Sequence, residues 1–348
     1  MHAVTFTCEI ITPMFIYGAD GNTPELRPPS IKGALRFWWR ALNGHLSLEE
    51  LKKREGAIFG DTERRSKFNI RVSPTEFDNI SYDGFDKTFY SYDGNKRRHN
   101  GKAFPTNAMY YLGYGVANWV KEEKKTRFIR PYIPPKTEFI VKINTKKEVL
   151  DTIVHTFKVL EQFGGLGSKS RNAFGCFKIK KYELNGIKRQ LLQINPQDLL
   201  NNTMSDYTAF SKKVNFFETH KKNYKSWEDA FKVICEAYQN AREKIDEWHD
   251  WYWRELIALP IVVKGKPSIK DNFLERHSKP YFMHVSKTEK GYKGEVLLMP
   301  YNYLEKCSIA QIPSAQLPDY KHDYLEALER FNEYLREQLK SSIEHILS

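Results

Sequence analysis

Twelve consecutive residues in the middle of the chain, Gly164-Gly165-Leu166-Gly167-Ser168-Lys169-Ser170-Arg171-Asn172-Ala173-Phe174-Gly175, constrain its fold more than any other stretch. Four glycines, two serines and two cations lie between a segment of helical periodicity and a segment of strand periodicity. Glycine reaches φ > 0 and lets backbone N–H groups crowd against a neighbour, while Lys169 and Arg171 favour a negative one. In a P-loop or a dinucleotide-binding turn a strand leads and a helix follows. Here the order is reversed, and Gly167 is followed by Ser168 where a P-loop needs Lys. The loop therefore suits a polymer backbone better than a mononucleotide.

The flanking periodicities define a first domain over residues 1–190. Residues 2–12 alternate as a strand ended by Pro13, and Pro28-Pro29-Ser30 opens a helix. Ser30 is the expected N-cap, with Ile31, Leu35, Trp38 and Leu42 as the apolar stripe and Asn43-Gly44 as the stop. Phe68 to Val72 is a second strand and Thr137 to Ile143 a third. Thr145 and Glu148 spell a capping box for a helix carrying Leu150, Ile153, Phe157 and Leu160, and Phe174 to Leu184 is a fourth strand. Strand, helix, strand, strand, helix, strand is the split βαβ plan of a ferredoxin-like fold, whose sheet leaves one face free. Residues 74–130, with Ser-Tyr-Asp-Gly at 81–84 and 91–94, read as a hairpin-like, partly mobile, Tyr-rich insertion.

The texture becomes Asn- and Gln-rich near residue 190, which marks a linker. A second α+β domain is expected over 205–348, its strand order left open. Its long helix is capped by Ser226 and carries Trp227, Phe231, Ile234, Tyr238, Ala241, Ile245 and Trp248. Strands are expected at 256–263, 281–286 and 295–299, the last two joined by a turn at Gly291 to Gly294, and a helix at 323–347. The fold class is thus α+β, two ferredoxin-like domains in tandem.

Charge and aromaticity bear on the partner. The chain has 348 residues, 55 Lys+Arg against 43 Asp+Glu, a formal charge of +12 and 14% aromatic residues. That balance favours a nucleic acid, and interleaved rings suit single strands of RNA. Lys32, Arg36 and Arg40 recur every four residues on the first helix. Lys32 sits in the first turn, where the helix dipole disfavours a cation by a few tenths of a kcal/mol. Gly33 beside it leaves room for close approach, and Arg27 adds a fourth cation. From 164 to 189 seven cations face Glu183 alone. Arg64, Arg65 and Lys67 approach the insertion, which adds Lys96, Arg97, Arg98 and His99 among Tyr82, Tyr90, Tyr92, Tyr110 and Tyr111. The plain alternatives are a solvated helix face for Lys32, Arg36 and Arg40 and a simple C-cap for Gly164 and Gly165.

Cys8, Cys176, Cys235 and Cys307 are far apart, which spells neither a zinc knuckle nor a disulfide framework and leaves buried thiols. No run approaches ~20 apolar residues. The expectation is a soluble, cytoplasmic chain with no membrane contact, no cofactor and no metal.

The segments Pro28 to Arg40 and Gly164 to Gly175 closely resemble the RAMP superfamily of CRISPR-associated proteins, most of all the first-numbered subunits of Cmr (type III) effector complexes. Arg276-His277-Ser278-Lys279-Pro280 resembles an Arg-x-x-Ser-Pro signature of those subunits, with Lys279 intruding before Pro280. The resemblance covers most of the chain outside the insertion and linker. It implies two ferredoxin-like domains and a non-catalytic, RNA-binding role at one end of a guide-RNA complex that cleaves complementary RNA, the cutting being done by another subunit. Guide RNA, target RNA or both, and other Cmr-type RAMP subunits, are the implied partners. Carried over, Arg27, Lys32, Gly33, Arg36 and Arg40, the loop residues Gly164, Gly165, Gly167, Ser168, Lys169, Ser170 and Arg171, and Arg276 are the RNA-contacting set. Some relatives are metal-independent endoribonucleases that use a histidine base, so cleavage of guide precursors is the enzyme alternative. His45, His155 and His277 are scattered, and no His-Glu-x-x-His or carboxylate cluster is spelled out. A structural adaptor without RNA contact is the third reading.

Overall fold

The computed structural model describes residues 1–84, 88–90, 105–123, 125–191, 193–201, 203–220, 223–249, 252–258, 277–302, 304 and 315–343. Two antiparallel sheets organise it. The first is built from β1 (His2–Ile10), β2 (Phe68–Ser73), β7 (Glu138–Thr145), β8 (Phe177–Leu184) and the short β9 (Ile187–Arg189), in the order β2-β7-β1-β8-β9. Alternation decides its faces. Val4, Phe6 and Cys8 are buried beneath α1 (Pro28–Leu42) and α4 (Lys147–Phe163), while Ala3, Thr5 and Thr7 lie on the open side. Phe6 stacks on Phe157 of α4 at 4.3 Å between ring centroids.

The second sheet holds β10 (Asn215–Thr219), β11 (Tyr281–Thr288), β12 (Gly291–Leu298) and β13 (Leu339–Ile343), in the order β11-β12-β10-β13. Numbered within each βαββαβ run, both sheets read second, third, first, fourth, and every pairing is antiparallel. Helices α5 (Trp227–His249) and α7 (Leu317–Arg336) cross the second sheet, and α6 (Tyr252–Ile257) follows α5. Tyr281 tilts against Phe331 of α7 at 4.6 Å and bonds Asn332 Oδ1 at 3.0 Å.

Several expectations need correction. Helix α1 starts two residues before Ser30: Arg27 is the N-cap, without a side-chain bond, because two prolines fill the first turn and leave fewer orphan N–H groups. The Thr145–Glu148 capping box does not form. Thr145 ends β7, Lys146 is the N-cap, and Glu148 turns to Lys67 at 2.7 Å. A helix that the reading missed, α2 (Leu48–Phe59), is capped by Ser47 Oγ, which accepts from Glu50 N at 3.3 Å. Strand β8 begins at Phe177 because Ala173 and Gly175 take φ of 62° and 68° and turn the chain.

In the second half, Leu256–Ile257 are helical, Ala258 lies in no strand, and 259–263 lie outside the described residues. The turn between β11 and β12 is tighter than expected, since Thr288 pairs with Gly291. The final helix stops at Arg336, after which β13 pairs with β10, another unanticipated strand. Ser226 does cap α5, accepting from Asp229 N at 3.2 Å. Around the expected linker, Leu199, Phe210 and Val214 pack into the first core.

The insertion forms the small pairs β3 (Thr88–Tyr90) with β4 (Pro105–Asn107) and β5 (Ala117–Val120) with β6 (Lys125–Phe128), joined by α3 (Ala108–Leu112). Its described part is not a free hairpin. Met109, Leu112 and Phe128 are buried in one cluster with Phe231 and Ile234 of α5 and with Phe174. Cys8, Cys176 and Cys235 are buried thiols, burial pushing Cys176 up to about 12, and Cys307 lies outside the described residues. Among the described residues no helix is long and apolar enough to cross a membrane.

Candidate nucleic-acid interface

The glycine loop is held in place by close approach. A Cβ on Gly164 would stand 2.5 Å from Trp38 Nε1, so the loop is drawn tight against α1. Gly167 has φ +88° and would press a Cβ into the Phe15 carbonyl, which already accepts from Ser168 N at 2.7 Å. The amides of Gly164, Leu166, Asn172 and Gly175 also bond carbonyls of the protein itself. The glycines thus buy packing, and the crowd of free N–H groups expected from the sequence is much reduced.

The loop also seals the edge of the second sheet. Met283 N donates to Arg171 O at 3.0 Å, and His284 Nδ1–H donates to Gly164 O at 2.8 Å. Burial pushes the His284 imidazole down to about 4. Exposed strand edges invite pairing with other chains, and β11 is an edge strand covered in this way. Arg171 completes the seam: Nη1 donates to Lys279 O at 2.6 Å and the guanidinium lies 4.3 Å over the Phe282 ring.

Beside this seam runs an open groove of about 1640 Å³. Arg36 and Arg40 of α1 stand on one wall, and Lys169, Ser170 and Arg171 of the loop on another. The basic helix and the glycine loop therefore meet on one surface. Eight cations line the groove against four carboxylates, Glu55, Asp61, Glu63 and Asp206, so its field is positive.

The cations differ in freedom. Arg36 and Arg40 both grip Glu55 of α2, Arg36 Nε at 3.2 Å and Arg40 Nη2 at 2.7 Å, and hydrogen bonding to Glu55 pushes the Arg40 guanidinium above its ordinary value. Arg36 also donates to Gly60 O at 3.1 Å. These two arginines fasten α2 to α1. Lys52 and Lys53 of α2 are exposed on the groove wall, and among the described residues neither they nor Lys169 makes an ion pair. Lys52 and Lys53 escaped the sequence reading because α2 did, although Ser47-Leu48-Glu49-Glu50 was a legible capping signal.

The remaining expected residues scatter. Gly164, Gly165 and Gly167 line a smaller neighbouring cavity of about 340 Å³ that shares Phe37, Ser170 and Arg171 with the groove. Ser168 is exposed outside both. Gly33 is exposed with open space where a Cβ would stand. Lys32 lies 5.3 Å over the Phe68 ring, its ammonium lowered by burial and by neighbouring Arg36. Arg27 faces Glu25 at 3.9 Å. Arg276 lies outside the described residues, as do Lys96, Arg97, Arg98, His99 and Tyr92 and the side chain of Tyr90. The open face of the first sheet presents Thr5, Thr7, Lys142 and Lys181, without the rings on which bases stack.

Of the histidines, His277 is buried at the groove and donates Nε2–H to Leu256 O at 3.1 Å. His45 is exposed, and burial lowers His155 on α4.

A family model described as the RAMP superfamily matches residues 7–178. The CRISPR system Cmr subunit Cmr1-2 of Pyrococcus furiosus is 42% identical over 75 residues, 21% of this chain and 40% of that protein. Cmr1-1 of the same organism is 30% identical over 160 residues, 45% of this chain and 41% of that protein. The chain thus spans about two fifths of the length of the curated relatives it matches. The crystal structure of Cmr1 from Pyrococcus furiosus in its apo form agrees over 98% of both chains, at 18% identity and a TM-score of 0.54. A chain of a type III-B Cmr-beta complex, solved by cryo-EM with cognate target RNA and AMPPnP in the presence of ssDNA, agrees over 95% of this chain and 99% of its own, at 12% identity and a TM-score of 0.51. With the α+β fold shared across the whole chain and the family pattern carried by its first half, residues 7–178 belong to the RAMP superfamily and the chain is similar to Cmr1 subunits.

Proposed function

We propose that this chain is a non-catalytic, RNA-binding subunit of a type III CRISPR effector complex of the Cmr kind, holding guide RNA, target RNA or both beside other RAMP subunits in the cytoplasm. Its two units, 1–190 and 205–348, are read as ferredoxin-like domains in tandem, a reading supported by their identical strand order. The observation that carries the function is the positive groove in which α1, α2 and the glycine loop converge. Its volume and its lysines, which make no ion pair among the described residues, suit a sugar-phosphate chain, and sequence would be read by guide–target pairing instead of by side chains. The likeness to Cmr1-1 and Cmr1-2, and to a chain of a complex solved with target RNA, supports the same assignment.

The enzyme alternative draws on one observation, the position of His277 at the groove. Its Nε2–H is committed to a backbone carbonyl, which disfavours a role as general base. Fluorescence anisotropy with a labelled single-stranded RNA tests the main reading. About five phosphates neutralised predicts a log–log salt slope near −3.5. Affinity independent of salt, or binding of partner subunits without any RNA, would leave a structural adaptor. Discrete cleavage of precursor RNA in EDTA, lost in His277→Ala, would establish the enzyme instead.

A further inference from the structure

Past the glycine loop the groove opens into a second cavity of about 240 Å³, with Lys169, Asn172 and Lys279 on the boundary between the two. Tyr111 and Tyr114 of the insertion form one wall. Arg242 of α5, which donates Nη1–H to Tyr111 Oη at 3.5 Å, and Arg254 of α6 also line it, together with Ile245, Ile257 and Phe331. Four cations thus line this cavity, and among the described residues no carboxylate does.

Lys279 is the informative residue. Its ammonium lies 4.4 Å over the Tyr238 ring, and Arg171, Arg242 and Lys169 all act on it as like charges, with the Cys235 thiol acting in the opposite sense. Among the described residues it makes no ion pair, and burial pushes its amine well below the ordinary lysine range. Lys169 holds φ +61°, a left-handed conformation that strains a side-chain-bearing residue and collects at ligand clamps. A glycine would hold that turn more cheaply, so the strained position keeps an amine at the mouth of the cavity. Like charges gathered around a desolvated amine destabilise an empty site, and one multivalent anion reverses the sign of every one of those interactions.

We propose that this cavity is a binding site for a single phosphate group, distinct from the groove that carries the chain of phosphates. Several cations around a compact tetrahedral anion match its chemistry, and the exposed Tyr114 ring at the rim offers a surface for an attached sugar or base. Only the source of the phosphate, an RNA terminus or an internal diester, rests on the RNA reading above.

The test is thermal unfolding of the full chain in sodium phosphate against sodium chloride at equal pH and ionic strength. With about 20 mM phosphate the midpoint should rise by about 3 °C in the wild type. Lys279→Met should keep or raise the midpoint in chloride, since it removes a half-buried cation that has no carboxylate partner among the described residues, and should abolish the phosphate-specific rise. Lys169→Gly, which relieves the left-handed strain, should fold at least as well and reduce the rise, so the question does not hang on one variant. No specific rise, or a rise that survives both substitutions, overturns the proposal. A five-nucleotide RNA with and without a terminal phosphate then separates the sources. A preference of about 10-fold for the phosphorylated end, lost in Lys279→Met, assigns the terminus, and equal affinities both weakened by the variant assign a diester. Stabilisation by inorganic phosphate without RNA binding would keep the pocket and discard the RNA role.

Discussion

Replacing Lys52, Lys53 and Lys169 together by Ala tests whether the groove is a phosphate track. These three line it without an ion partner among the described residues, whereas Arg36 and Arg40 are tied to Glu55. Each phosphate neutralised on a single strand contributes about −0.7 to the log–log salt slope, so the triple variant should lose about 2.1 of it. Extrapolated to 0.15 M salt, that is a loss of about 50-fold in affinity. Anisotropy titrations of a labelled RNA from 50 to 300 mM salt, on wild type and variant, give both numbers. Lys52 and Lys53 are exposed, and exposed substitutions typically move stability by no more than about 0.5 kcal/mol, so the melting temperature should hold. Lys142→Ala on the open face of the first sheet is the control, since that lysine is equally exposed and away from the groove lining. A slope unchanged in the triple variant, or changed as much by Lys142→Ala as by one groove lysine, would refute the reasoning.

Glu55→Gln removes the carboxylate shared by Arg36 and Arg40; RNA affinity at 0.15 M salt should rise about 4-fold while the melting temperature falls, both measured on one preparation. Gly175→Ala places a Cβ against the Leu166 carbonyl at φ +68°, and a cost of about 2 kcal/mol or more should lower the melting temperature by about 5 °C. Burial raises the Glu295 carboxyl to about 7, above its unfolded value of 4.5, so the folded state holds the extra proton between those values. Stability from this group is full below pH 4.5 and is lost as pH rises to 7. The melting temperature of wild type minus that of Glu295→Gln should therefore fall across that window, while His284, lowered to about 4 and in register with Glu295 across the β11–β12 pair, works in the opposite sense.

Local chemistry made much of the first unit legible. The alternation of Val4, Phe6 and Cys8 and the stripe of Ile31, Leu35 and Trp38 are consequences of periods 2 and 3.6, and both faces are buried where those periods put them. The loop's composition likewise announced a tight, basic turn. What composition leaves open is what a turn is tight against. Gly164, Gly167 and Gly175 answer to Trp38, Phe15 and Leu166, partners that no spacing rule identifies. Arg36 and Arg40 looked like free cations because Glu55 stood on a helix that had not been recognised.

In the second unit the distant partners weigh more. Leu339 to Ile343 extends a helical pattern in the sequence yet becomes a strand, because β10 offers an unpaired edge and backbone hydrogen bonds outweigh a weak local preference. The sequence by itself determined the positive charge, the amphipathic helices α1 and α4 and the basic glycine turn, since these depend on residues near one another in the chain. Only the tertiary structure decided which cations are spent on carboxylates and which face the groove. Pairing of charges is fixed by packing between elements far apart in sequence, and Coulomb interactions depend on that distance in space alone.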